Sequence, residues 1–207
     1  MAACGIGGWC YVKNDQPGEA FVGQVEVVAL EFATGAKKLL STHMLQMEAG
    51  AGVSERFQLD LSGVGSKTHM LIATCYKLCD GRTCASSDGV RRTVSDADGD
   101  GDGDGSVPMS VNEILLAPPK DLKLPAASVT ATVSSVANLD GTIDVQLNAS
   151  ATALYVTLTS LAQGRFSDNA FAMPPGGTVI QFLPLGATDI TGLSTSLRVE
   201  HLQPHLL

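Results

Sequence analysis

The densest set of oxygen ligands in the 207-residue chain is Asp96-Ala97-Asp98-Gly99-Asp100-Gly101-Asp102-Gly103-Asp104-Gly105. Counted from Asp100, it supplies Asp100, Asp102, Asp104 and Gly105 at positions one, three, five and six of a calcium loop, but the closing twelfth position is Val111 where a bidentate Glu is required. A solvated acidic insertion is therefore the expectation, because alternating Asp and Gly buries no apolar surface and repels itself. Cys75, Cys79 and Cys84 lack the paired Cys-x-x-Cys spacing of a zinc knuckle, and His69 would have to reach across a strand to complete four ligands. Free thiols are expected there. The other two cysteines, Cys4 and Cys10, make an odd total of five, whose scatter does not read as a disulfide framework. His43, His69, His201 and His205 fit no metal or triad spacing, and the tail from His201 to His205 is expected to fray. The seven glutamates, Glu19, Glu26, Glu31, Glu48, Glu55, Glu113 and Glu200, are dispersed, and none sits beside a second carboxylate as acid/base catalysis of glycoside cleavage would need. Asn148-Ala149-Ser150 matches an N-glycosylation acceptor on the polar face of its strand.

With no catalytic constellation and no cofactor or metal site in view, the elements carry the information. Gly, Ser, Thr and Val are plentiful and long helical periods are missing, so an all-β class is expected. A net charge of −8 without clustered Lys or Arg argues against nucleic acid. No apolar run reaches the ~18 residues a membrane helix needs, and the first eight residues lack the basic and apolar regions of a secretory signal. The expectation is a soluble chain with no membrane partner and no leader of its own.

A first strand is expected from Trp9, ending at Asn14-Asp15 with Pro17-Gly18 continuing the reversal. In the next, Val25 and Val27 point one way and Val28, Leu30 and Phe32 the other, so a bulge at Val27-Val28 is expected to restore one buried face. Lys37 to Met47, then Phe57, Leu59 and Leu61 in alternation, then Met70 to Tyr76 continue the pattern. Periodicity disappears over 78–109 and resumes at Val111 to Leu116, which is expected to pair with Met70 to Tyr76. Ala117-Pro118-Pro119-Lys120-Asp121 onward to Pro125 reads as a stiff connector. Beyond it Val129, Ala131 and Val133, then Ile143, Val145, Leu147 and Ala149 after a Leu139-Asp140-Gly141 turn, then Leu154, Val156 and Leu158 form inner faces. Ile180 with Phe182, and Leu197 with Val199, lie on later strands. Two tandem immunoglobulin-like β-sandwiches are predicted, 9–120 with the disordered acidic loop 78–109 inserted, and 121–203.

Between the strands 153–160 and 178–184 stands Gly164-Arg165-Phe166-Ser167-Asp168-Asn169-Ala170-Phe171, with Pro174-Pro175-Gly176 close behind. It reads as a fixed corner, with Asp168 and Asn169 bonding nearby backbone and Phe166 and Phe171 anchoring the ends. This stretch, the connector from Asn112 to Pro125, and Tyr11-Val12-Lys13-Asn14-Asp15 together resemble the C-terminal part of β-mannosidases of glycoside hydrolase family 2. In that family a Pro-Pro-Lys-Asp-Leu connector joins two immunoglobulin-like domains, and the last carries an Arg-Phe-Ser-Asp-Asn turn, here Arg165, Phe166, Ser167, Asp168 and Asn169. The insertion 78–109 departs from the family pattern.

The resemblance implies a parent that is a retaining exo-glycosidase, removing terminal β-mannose from oligosaccharides and N-glycan remnants with two glutamates of a (β/α)₈ barrel. Such a barrel takes roughly 250 residues of alternating strand and helix, so neither glutamate maps onto this sequence. The expectation is a non-catalytic fragment beginning just after the barrel, whose partners are the parent's barrel and N-terminal domains. A lysosomal, vacuolar or secreted location follows if the parent carries a signal. Two other readings stay open: a free-standing carbohydrate-binding or adhesive module, possible with calcium on the acidic loop but thin in aromatics beyond Trp9, Tyr11, Tyr76 and Tyr155; and a module of another family 2 enzyme such as a glucosaminidase.

Overall fold

The computed structural model describes residues 2–15, 18–50, 52–77, 107–187 and 189–206, without the side chains at 53 and 107–109. The Asp/Gly tract, Cys79 and Cys84 lie outside the described residues. Two compact units are formed, one of Met1–Glu31 with Lys37–Asp121 and one of Phe32–Ala36 with Leu122–Leu207. Each is built from antiparallel strands, as the alternating sequence patterns require.

In the first unit, β1 (Ala2–Cys4), β2 (Trp9–Asn14) and β5 (Val53–Gln58) form a sheet in the order β1-β2-β5. The facing sheet has the order β4-β3-β6-β7, from β3 (Phe21–Glu31), β4 (Lys37–Met47), β6 (His69–Lys77) and β7 (Val107–Leu115). Both contribute to one core, with Cys10, Val12 and Phe57 from one side and Val25, Val27, Ala29, Leu71 and Ala73 from the other. β6 and β7 pair from Met70↔Leu115 to Lys77↔Val107, the hairpin that the apolar runs predict. Strand structure, however, resumes at Val107 rather than at Val111, because β6 extends to Lys77 and offers ladder partners that far.

Three further differences have physical causes. The register against β4 does shift between Val27 and Val28, but the extra residue is Leu40 of β4, since Val27 faces Ser41 and Val28 faces Leu39. β3 itself keeps its alternation against β6, with Val25, Val27 and Ala29 on one face while Leu30 is buried on the other. The chain before Trp9 is also structured. A Gly5-to-Gly8 turn, closed by Gly8 N–H to Gly5 O at 3.0 Å and Gly5 N–H to Trp9 O at 2.8 Å, folds β1 back on β2. This sets Cys4 opposite Cys10 with Cα atoms 4.0 Å apart, and the two form a disulfide. A scatter of cysteines that does not read as a disulfide framework thus still holds this one pair, while Cys75 is a buried free thiol.

The second unit pairs a four-stranded sheet, β11-β13-β9-β8, with a three-stranded one, β12-β10-β14. Its strands are β8 (Val129–Val133), β9 (Ile143–Ala149), β10 (Ala153–Thr159), β11 (Gly164–Phe166), β12 (Phe171–Met173), β13 (Gly176–Pro184) and β14 (Arg198–Glu200). Ile143, Val145 and Leu147 meet Ala153, Val156, Leu158 and Met173 in the core. β10 is not a simple alternation: Ala153 and Leu154 are both buried, and Tyr155, at φ 52°, takes up the irregularity and points outward.

The sequence expectation had no helix here, yet α1 (Ile190–Ser196) precedes β14. Asp189 caps it, its carboxylate accepting from Gly192 N–H at 2.7 Å. Leu193 fills the core from this turn of helix. Nor does the tail fray. Leu202 N–H bonds Leu154 O at 2.8 Å, the Gln203 side chain accepts from Ala127 N–H at 3.0 Å, and Gln203–His205 forms a 3-10 turn. Among the described residues no helix is long and apolar enough to cross a membrane.

Candidate functional site

The alternation of β2 sends Cys10 and Val12 into the first unit's core and leaves Trp9 and Tyr11 outside. Trp9 is 59% exposed and Tyr11 41%, unusual values for the residues with the most apolar area to bury. Across the β2–β5 ladder, Gln58 stands opposite Trp9, Arg56 opposite Tyr11 and Ser54 opposite Lys13, and all three β5 side chains are exposed. On the other flank Tyr11 faces only Ala3. Trp9, Tyr11, Lys13, Gly52, Ser54 and Arg56 line an open groove of about 430 Å³. Lys13 bonds Asp15 at 2.6 Å, which holds its ammonium above the usual value. The Cys4–Cys10 disulfide fixes the hairpin that carries the two rings.

The corner stretch is the second feature with a defined geometry. Its β11 pairs with β13 in the four-stranded sheet, Phe166 opposite Phe182, whereas β12 pairs with β10 in the three-stranded sheet. The residues between, Ser167 to Ala170, carry the chain from one sheet to the other. Ser167 N–H bonds Gln181 O at 2.7 Å and its hydroxyl accepts from Gln181 N–H at 3.0 Å. Asp168 accepts from Asn169 N–H at 2.9 Å. The Asn169 amide accepts from Leu158 N–H at 2.7 Å and donates to Leu158 O at 3.0 Å, as a neighbouring strand residue would. Ala170 takes φ 60° to complete the passage. Phe166 sits edge-on to Phe182 with ring centres 5.2 Å apart, Phe171 packs against the core, and Arg165 is exposed.

The remaining sites are dispersed. Asn148 is exposed on β9, an internal strand, between Thr130 and Gly177, and the Ser150 hydroxyl accepts from Ser128 N–H at 2.9 Å. His43 lies 2.8 Å from the Glu55 carboxylate and stacks on Phe57 with centres 4.6 Å apart. Burial, and then the nearby His205, hold the His201 imidazole below its ordinary value. Among the described residues, no three His, Cys, Asp or Glu side chains gather closely enough to hold a metal ion. Composition, with one Trp and three Tyr, does not reveal the groove. The signal is the shared parity of Trp9, Tyr11 and Lys13, which marks one wet face.

Residues 124–204 match the Ig_mannosidase family model, an Ig-fold domain. Among solved structures, the chain is similar to a β-D-mannosidase from Dictyoglomus thermophilum, with a TM-score of 0.58 and 19% identity over 94% of this chain and 20% of that one. A likeness to the Amycolatopsis orientalis exo-chitosanase CsxA, at a TM-score of 0.43 and 16% identity, covers 94% of this chain and 24% of that enzyme. The mannosidase likeness establishes the fold, and the chain spans about a fifth of that enzyme's length. No curated protein matches the chain.

Proposed function

We propose that this chain is the accessory, non-catalytic C-terminal pair of β-sandwich domains of a β-mannosidase-type glycoside hydrolase. The observation that carries the reading is the Ig_mannosidase match over residues 124–204, the region holding the Arg165-Phe166-Ser167-Asp168-Asn169 crossover. In this reading the domains are 9–120 and 121–203, and their partners are a catalytic barrel and N-terminal domains elsewhere in the parent. The parent would release terminal β-mannose from oligosaccharides, with both carboxylates supplied by the barrel, since retaining cleavage needs two about 5 to 5.5 Å apart.

The sandwiches then work as a scaffold that covers part of the barrel and steadies the loops at its rim. Arg165 to Asn169 have a positioning role within the domain and no contact with substrate. Asn148 is an acceptor for a glycan if the parent passes through a secretory compartment.

Sequencing the transcript upstream of the Met1 codon tests the assignment. An in-frame segment encoding a barrel is the expected result. A messenger whose 5′ end carries an in-frame stop just before Met1 would transfer the case to a free-standing module.

A further inference from the structure

We propose that the outward face of β2 and β5 is a binding site for a neutral oligosaccharide. This face belongs to the first unit alone, apart from residues 124–204 that carry the family match.

Trp9 and Tyr11 are two residues apart on one strand face, which places their stems about 7 Å apart along the strand. Strands normally turn such rings inward, yet here Cys10 and Val12 take the buried positions. Exposed rings beside Arg56, Ser54 and Gln58 suit a ligand that has an apolar face and a rim of hydroxyls. A pyranose ring has both: its C–H face covers an aromatic, and its hydroxyls meet the guanidinium fork and the Ser and Gln side chains. Ala3 is small on the β1 flank of Tyr11, and among the described residues outside its chain neighbours nothing stands within 4 Å of where a Cβ on Gly52 would lie, so the groove has room for a ligand longer than one sugar.

Charge selects against the other ligands of aromatic and basic faces. The Lys13 charge is answered by Asp15 at 2.6 Å, so among the described residues lining this groove Arg56 is the cation that can serve a ligand. The chain as a whole carries −8. Single-stranded nucleic acid needs a basic track along its backbone as well as stacking platforms, and one arginine on an acidic chain does not provide it. The disulfide holds the hairpin in its binding geometry before the sugar arrives, which lowers the ordering cost of binding.

Trp9 is the only tryptophan of the chain, so its emission reports on this groove directly. The full chain is titrated with β-1,4-mannohexaose, with cellohexaose and with a single-stranded oligonucleotide, following fluorescence and calorimetry. A saturable shift with at least one of the two sugars is expected, lost in Tyr11→Ala. In Arg56→Ala it is weakened about tenfold or more, the loss that follows removal of a hydrogen bond to a charged group. Both substitutions are on an exposed face, and unchanged far-ultraviolet dichroism checks that each variant folds. Silence with both sugars at millimolar concentration, a response to the oligonucleotide alone, or a Trp9 shift that instead tracks self-association of the chain would each overturn the proposal.

Discussion

Asn169 does with one side chain what a strand residue does with its backbone. Its amide exchanges both hydrogen bonds with Leu158 at the point where β12 has not yet begun, and so seals the edge of β10. Asn169→Ala should lower the stability of the second unit by about 1 to 2 kcal/mol, the range for bonds whose partners regain some water, measurable by urea denaturation. The next residue is strained in the opposite sense. Ala170 at φ 60° occupies a region that costs a residue with a Cβ roughly 1 kcal/mol or more. Ala170→Gly removes that cost and returns part of it as unfolded-state entropy, so equal or slightly higher stability is expected; a loss above ~1 kcal/mol in the same assay would show that the methyl packs productively. That a Ser-Asp-Asn turn would bond backbone was legible from residue type. Which backbone it reaches was not, because Leu158 is eleven positions away and is brought near only by the two-sheet geometry.

At the scale of elements, the strands that could be read were those whose two faces differ. β9 alternates Ile143, Val145, Leu147 and Ala149 against polar neighbours, and it buries just those four. The Val27-Val28 shift was legible as a shift but not as to which strand bulges, since sequence alternation records one strand while register is a property of two. α1 was hidden by its length: seven residues, Ile190-Thr-Gly-Leu-Ser-Thr-Ser, bury one leucine and give no helical period to detect. The β1–β2 hairpin was hidden because three residues of Ala-Ala-Cys make no pattern, though Gly5-Ile6-Gly7-Gly8 between two cysteines was a turn signal. The disulfide closes a loop of six residues' separation. For a loop that short the chain-entropy model gives about 2 kcal/mol. Replacing Cys4 and Cys10 together by Ser should destabilise the first unit by that amount and leave the second unit's unfolding unchanged, which a two-unit calorimetric scan resolves. In the second unit, a Cβ at Gly164 would lie 2.3 Å from the Phe182 ring and 2.6 Å from Leu183 O. Gly164→Ala should therefore cost about 1 to 3 kcal/mol, as overpacking of a filled site does.

For the molecule as a whole, two antiparallel sandwich units and the Ig_mannosidase match over 124–204 are what support our proposal that the chain assists chemistry performed elsewhere. Fold class was legible because alternation and turns recur through both halves. The proposed function was legible only as a resemblance carried by the corner and connector motifs, of which the family match over 124–204 spans the corner. The groove of Trp9 and Tyr11 adds, by our proposal, a contact with sugar. The most direct measurement is therefore hydrolysis of a chromogenic β-mannoside by the purified chain alone, followed through gel filtration. For the non-catalytic role proposed above, no release of chromophore above a buffer control is expected in the fractions holding the chain. Turnover that co-elutes with the chain would contradict it.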